Sequence, residues 1–133
     1  MFTLTQRVFW EDTDAGGVVY YANYLRFLER ARSEWLRSLG VHQESLRQDP
    51  GCQFVVTEVH ARYLKPARLD DLITISARLA TLDRVRLCFA QDIRRGDEVL
   101  LQADVHAACV NAQTLRPMRL PPAISTLLAP STP

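Results

Sequence analysis

Three cysteines, Cys52, Cys88 and Cys109, are spread through 133 residues with no C-x-x-C pair, so the chain carries neither a zinc-knuckle nor a dithiol redox motif. Cys88 and Cys109 fall in alternating apolar runs and read as core residues. Cys52, beside Pro50 and Gly51 in a loop, reads as exposed. Net charge is equally scarce: 16 Lys and Arg against 15 Asp and Glu leave +1, too little for the basic field that a nucleic-acid partner needs. No apolar run nears the roughly 20 residues that span a bilayer. The N-terminal stretch MFTLTQRVFWEDTD lacks the charged start, apolar run and small-residue cleavage site of a secretory signal, so the sequence predicts a cytoplasmic location and no integral membrane segment. His42, His60 and His106 have no spacing suited to a metal or a catalytic triad and read as surface or interface residues. No metal or other cofactor is expected. Repeats and linkers are missing too, which leaves one domain over residues 1–133, and a 47% hydrophobic composition is enough for a real core.

What the sequence does have is a long amphipathic stretch behind an acidic, glycine-bearing loop, WEDTDAGGVVYYANYLRFLERARSEWLRSL. Tyr24, Leu28, Ala31, Trp35 and Leu39 recur at helical spacing, with Leu25, Leu36 and Phe27 widening the stripe. Arg26, Glu29, Arg30, Ser33 and Arg37 form the wet back, Glu29 and Arg32 stand at the spacing of a helix ion pair, and Gly40 is placed as a left-handed cap. The helix starts either at Asn23 as N-cap or further back, near Val18. Unpaired N–H groups and the positive end of the dipole gather at that start. Asp12 and Asp14 stand just before it, and Gly16 and Gly17 leave the backbone approachable. Asp12 and Asp14 are either turn residues or a carboxylate placed beside polarising N–H groups, a pairing suited to hydrolysis of an activated acyl group.

Elsewhere the period is two. Residues 2–9 read as a first strand. Val55, Thr57, Val59, Ala61 and Tyr63 alternate with Val56, Glu58, His60 and Arg62, and the same period runs through Ile73–Leu79, Val85–Ile93 and Val99–Cys109, each with one buried face. Arg95-Gly96-Asp97 and Leu82-Asp83 are hairpin links, and Pro66 ends the first long strand. Residues 41–51 read as a loop with one short helical turn, long enough for a lid, and residues 123–129 as a short tail helix. The expected fold class is α+β, with the sheet covering the apolar side of the helix.

The stretch from Trp10 to Arg37 resembles the signature of the 4-hydroxybenzoyl-CoA thioesterase group of hotdog-fold proteins, and within it the Tol-Pal-associated acyl-CoA thioesterases of the YbgC type. Y-L-K-P-A-R-L-D-D, from Tyr63 to Asp71, is a second match, and the similarity continues to about Pro121. The resemblance implies a single hotdog domain, a curved antiparallel five-stranded sheet around one long helix, pairing as a homodimer or homotetramer with active sites at the dimer seam. It implies hydrolysis of a short-chain or aromatic acyl-CoA to free acid and CoA, with an acyl carrier protein as a further partner. In the family motif D-x-D-x-x-G the catalytic carboxylate is Asp14, either nucleophile or general base, and Asp12 structures the loop. Tyr21 would supply the backbone N–H that polarises the acyl oxygen. Gly17, Tyr20, Phe54 and Val56 would complete the substrate-binding set, with Lys65, Arg68, Arg84 and Arg86 as cations for the CoA phosphates.

YbgC-type members commonly have His where this chain has Tyr21, so an acid/base role titrating near neutrality does not carry over. That departure keeps a second reading in play, a non-catalytic acyl-CoA or acyl-carrier-protein binding module of an envelope-associated complex. A calcium loop beginning at Asp12 fails because Asn23 stands where the bidentate glutamate belongs. A hotdog hydratase would rely on a histidine, and the signature has none.

Overall fold

A computed structural model describes residues 1–131. Its elements are β1 (Phe2–Arg7), a 3-10 turn (Trp10–Asp12), α1 (Asn23–Ser38), α2 (Gln43–Gln48), β2 (Cys52–Tyr63), β3 (Leu72–Leu82), β4 (Arg86–Arg95), β5 (Glu98–Asn111) and α3 (Pro122–Leu128), followed by a 3-10 turn (Ala129–Ser131). The five strands make one sheet in the order β1-β3-β4-β5-β2, and every neighbouring pair is antiparallel. β1 runs from Phe2 opposite Ala77 to Arg7 opposite Leu72. Ser76 bonds Asp92 and Asp83 bonds Arg86 across β3 and β4, while Val85 takes the Cys109 N–H across β4 and β5. Leu64 donates to Leu100 and Ala112 to Gly51 across β5 and β2. In β1/β3, β3/β4 and β5/β2 one number rises as the other falls, and the tight turn at Gly96 joins β4 to β5. This is the α+β hotdog architecture with five antiparallel strands that the resemblance implies. No helix among the described residues is long and apolar enough to cross a membrane.

The contacts gather into two compact units. The first comprises Met1–Trp35, Ala61–Ala77 and Gln91–Ala103. Here the helical stripe is buried as its spacing predicts: Tyr24, Phe27, Leu28, Ala31 and Trp35 are inside, and so are Ile73, Ile75, Ile93 and Leu101 of the strands. Each large apolar side chain so buried contributes about 1.5–3 kcal/mol. Two positions on α1 differ from the helical pattern. Leu25 is 41% exposed and shares a shallow cleft with Arg26, Glu29, Arg30 and Arg32, because it sits at the margin of the stripe. Arg32, one turn beyond Leu28, points inward: its Nη1 donates to Gln91 Oε1 at 3.0 Å, and Glu29 instead accepts the Ser33 hydroxyl at 2.6 Å. The expected Glu29–Arg32 pairing is therefore replaced by a link from α1 to β4. Burial pulls the Arg32 guanidinium below its ordinary pKa, and nearby Glu29 partly restores it.

The second unit comprises Leu36–His60, Arg78–Ala90 and Asp104–Pro133. Gly40, at φ +85°, ends α1: its N–H reaches the Arg37 carbonyl and that of Val41 reaches Leu36, the paired bonds of a Schellman cap. α2 occupies the segment where one helical turn was expected and buries Leu46. Cys52 is fully buried, against the expectation of exposure, because β2 starts at this residue and its thiol contacts Cys109. Burial, with Cys52 alongside, pushes the Cys109 thiol up to about 12. Cys88 is only half-buried, contrary to the core reading; it lies on the outer side of β4 with its sulfur 3.8 Å from His106 Nε2. His60 and His106 flank Glu58 there, whose carboxyl is held low chiefly by His60.

β2 departs most from the pattern. Its alternation predicts a buried face through Val55, Thr57, Val59, Ala61 and Tyr63, yet Thr57 is exposed, Val59 is 37% exposed and Tyr63 is 47% exposed. The strand is outermost in the sheet, with a neighbour on one side only.

Gln91, only 4% exposed, joins three partners: its amide donates to the Leu28 and Ser76 carbonyls, each at 3.0 Å, and its oxygen accepts from Arg32. Gln91→Leu keeps the volume and strands those groups, so a loss of about 3 kcal/mol is expected. A urea titration should show a lowered midpoint with unchanged slope.

Candidate active site

The segment between β1 and α1 is shaped by Asp12. Its carboxylate accepts the Phe9 N–H at 2.9 Å, while its carbonyl accepts both the Tyr20 N–H and the Asn23 side-chain amide at 3.0 Å. The residue is only 8% exposed, and it holds both ends of the loop, as a structural aspartate should. Asn23 is thus the first residue of α1 and turns its side chain back to the loop as a donor, which is neither N-cap nor calcium-ligand geometry.

Within the loop, Thr13 pairs with Val19, the Asp14 N–H donates to Val18 at 2.9 Å and the Gly17 N–H returns to the Asp14 carbonyl at 3.1 Å. The tip is a tight reversal. Gly17 has φ +80°, and nothing lies within 4 Å of where a Cβ would project; a Cβ on Gly16 would stand 3.2 Å from Asp14 Oδ1. Glycine at 17 answers to backbone conformation, and glycine at 16 to the nearby carboxylate. Asp14 is exposed, and its Oδ1 accepts the Gly16 N–H at 2.8 Å. Among the described residues, nothing bonds its second oxygen.

The two matched stretches lie side by side. Val19 donates to the Ala67 carbonyl at 2.9 Å, Val18 bridges to Arg68, the Ala67 N–H donates to the Tyr24 hydroxyl at 2.9 Å, and the Tyr63 hydroxyl donates to the Tyr21 carbonyl at 3.0 Å. All four tyrosines of the chain therefore gather at the start of α1. Tyr20 and Tyr21 are exposed, with ring centroids 4.9 Å apart, and the neighbouring Tyr21 phenol raises the Tyr20 pKa. Burial raises that of Tyr24. The Tyr21 backbone N–H has no acceptor among the described residues.

The cations differ in how far their charge is already matched. Lys65 Nζ lies 2.8 Å from Glu98, and Arg95 joins the same Glu98 to Asp71 at 2.7 Å. Arg68 lies in the first unit, exposed, and its guanidinium bonds no described residue. In the second unit, Arg84 and Arg86 line a cleft of about 650 Å³ with Thr57 and Pro117, and Arg84 also walls one of about 580 Å³ with Arg119. The Asp83 carboxylate is occupied by the Val85 and Arg86 N–H groups, which hold its pKa low. Phe54 is half-buried and Val56 exposed on β2. The structure thus brings Asp14, Gly17, Tyr20, Tyr21 and Arg68 into one loop assembly. Tyr63 and Arg119 were not singled out from sequence. Tyr63 opens the second matched stretch, whereas Arg119 carries no local signal. Among the described residues no three His, Cys, Asp or Glu side chains converge as a metal site.

Asp12→Ala should destabilise the fold by about 1–2 kcal/mol, as for a lost cap, whereas Asp14→Ala should stay within about 0.5 kcal/mol; denaturant unfolding of the two variants checks this. A second expectation concerns acid. Lys65 first, then Arg95, holds the Glu98 carboxyl below the ordinary carboxylate range. A pKa lowered by folding stabilises above the unfolded value, about 4.3 for Glu, and that stabilisation is lost as pH falls through the folded one. Wild type should therefore exceed Glu98→Gln in thermal midpoint at neutral pH, and the gap should close on acidification below about pH 4.3.

The model of the thioesterase-like superfamily matches residues 8–128. The acyl-CoA thioesterase YbgC of Haemophilus influenzae is 39% identical over 120 residues, 90% of this chain and 88% of that protein. The acyl-CoA thioester hydrolase YbgC of Escherichia coli O6:H1 is 40% identical over 93% of this chain and 92% of its own. Among solved structures, a probable thioesterase from Bartonella henselae superposes with a TM-score of 0.86 at 38% identity, covering 90% of this chain and 98% of that one.

Proposed function

Because the chain belongs to the thioesterase-like superfamily, we propose that it hydrolyses acyl-CoA, taking a short-chain or aromatic acyl group and releasing the free acid and CoA. The observation that carries this reading is the state of Asp14: one oxygen is oriented by the Gly16 N–H and the other is open, on a loop that runs into the start of α1. A carboxylate so held can act in two ways. As nucleophile it bonds the thioester carbon, CoA leaves as thiolate and takes a proton, and water then opens the mixed anhydride. As general base it removes a proton from the water that attacks the same carbon. Both routes place negative charge on the acyl oxygen. The open Tyr21 N–H, at the positive end of α1, is the donor that meets it, and such a donor contributes about 3–4 kcal/mol to the transition state. The Tyr21 phenol needs no proton-transfer role in either route.

Arg84 and Arg86, in one cleft, and Arg68 are the cations assigned to the CoA phosphates. Lys65 ranks below them, since Glu98 already matches its charge. Gly17, Tyr20, Phe54 and Val56 complete the substrate-binding set. The exposed apolar residues of the outermost strand β2 support pairing of two copies as a homodimer or homotetramer, in which the acyl group lies at the seam. The setting is cytoplasmic, and an acyl carrier protein is an alternative acyl donor.

The test is thiol release from short, long and aromatic acyl-CoAs, by wild type beside Asp14→Asn. Wild type should turn over at least one of them, and Asp14→Asn should lose on the order of 100- to 1000-fold in kcat while keeping its thermal midpoint. Binding of CoA without turnover of any thioester would replace the enzyme with a binding module.

A further inference from the structure

Tyr63 and Tyr21 are 42 positions apart, and the phenol of one bonds the main chain of the other at 3.0 Å. That contact completes a set. The Tyr20 N–H is held by the Asp12 carbonyl, and the Tyr20 carbonyl accepts the Asn23 N–H at 2.8 Å. The peptide joining Tyr20 to Tyr21 is thus anchored through its oxygen. Its N–H, which in a trans peptide points the opposite way, is the one that has no acceptor. The following peptide, from Tyr21 to Ala22, is anchored by Tyr63. Both planes that meet at the Tyr21 Cα are therefore pinned, the first by a single bond through its oxygen, and loss of the Tyr63 hydroxyl frees the second to turn about that Cα and to draw the first, with its N–H, out of line.

Tyr63 is itself fixed. Its ring stands edge-on to Tyr24 with centroids 5.4 Å apart, and Tyr24 takes the Ala67 N–H on its own hydroxyl. A half-exposed phenol that served packing alone would have no need to end on a backbone carbonyl.

We infer that Tyr63 is a positioning residue for thioester hydrolysis: its hydroxyl, bonded to the Tyr21 carbonyl, keeps the Tyr21 backbone N–H aimed at the acyl oxygen. This rests on the hydrolase reading proposed above. Tyr63 touches neither substrate nor reacting atoms and acts through the geometry of Tyr21. A displacement of the order of 1 Å in a catalytic group costs up to about 100-fold in rate.

The experiment compares wild type, Tyr63→Phe, Tyr63→Leu and Asp14→Asn on the best acyl-CoA of the panel, with kcat, KM and thermal midpoint recorded for each. Tyr63→Phe keeps the ring against Tyr24 and removes only the hydroxyl. Its kcat should fall by roughly 10- to 100-fold, with KM within twofold and the thermal midpoint unchanged. Tyr63→Leu should show the same loss in kcat together with a lower midpoint, which separates the hydroxyl from the packing. A Tyr63→Phe variant at wild-type kcat beside an inactive Asp14→Asn overturns the positioning role and leaves the hydrolase standing. A loss in Tyr63→Phe that appears in KM or in the midpoint instead of kcat also overturns it. Full activity in Asp14→Asn, or none in wild type, overturns the hydrolase reading and this inference with it.

Discussion

The loop ahead of α1 keeps its shape because one buried residue, Asp12, gathers three donors that the sequence sets 3, 8 and 11 residues away: its carboxylate takes the Phe9 N–H, and its main-chain carbonyl takes the Tyr20 N–H and the Asn23 side-chain amide. A loop rich in glycine has many conformations to lose on folding, and no apolar residue at its tip could offset that loss. A hydrogen bond to a carboxylate is stronger than one between neutral groups, and Asp12 makes one at the start of the loop while its main-chain carbonyl holds the returning end. With the ends fixed, the reversal at residues 14–17 needs only the Asp14–Gly17 and Asp14–Val18 backbone bonds to close. The direction of the Asp14 side chain and the start of α1 both follow from that closure.

The same division of labour explains why two aspartates so close together differ. Asp12 spends its acceptors on the protein and is shielded from water; Asp14 spends one oxygen on the next turn and presents the other outward. Composition cannot separate them, but position can. Asp12 is the last residue of a 3-10 turn and lies under the chain as it returns toward α1, whereas Asp14 opens the turn that reverses it.

What was legible in the sequence was whatever depends on local period. The helical stripe, the Gly40 cap, the β3, β4 and β5 alternation and the turn at Gly96 are set by neighbours a few residues away, and each lies where the pattern puts it. Arg32, Cys52 and β2 were misread for one reason. Whether Arg32 turns inward depends on Gln91 standing across from it, 59 residues on, and whether β2 buries a face depends on its place at the sheet margin. Neither leaves a trace in a window of ten residues. In the candidate site, the Asp-x-Asp spacing and the two glycines mark the loop, but nothing local links Tyr63 to Tyr21. Their pairing arises because Val18 and Val19 lie along Arg68 and Ala67, which brings the start of the second matched stretch up to the start of α1.

That juxtaposition also bears on the tyrosine at position 21, where relatives of the YbgC type commonly carry histidine. A phenol ordinarily titrates near pH 10, so it stays neutral where an imidazole would exchange protons. The backbone at this position is held through main-chain atoms: the Tyr20 N–H bonds the Asp12 carbonyl, the Tyr20 carbonyl takes the Asn23 N–H and the Tyr21 carbonyl takes the Tyr63 hydroxyl. In the proposed reaction, a main-chain donor would let the side chain vary without moving the group that meets developing charge, and the carboxylate of Asp14 would provide the nucleophilic or basic chemistry on its own. A thioester suits that arrangement, because its leaving group departs as a thiolate without needing a strong acid beside it. The Tyr21 ring then packs against that of Tyr20, with centroids 4.9 Å apart and planes tilted by 51°.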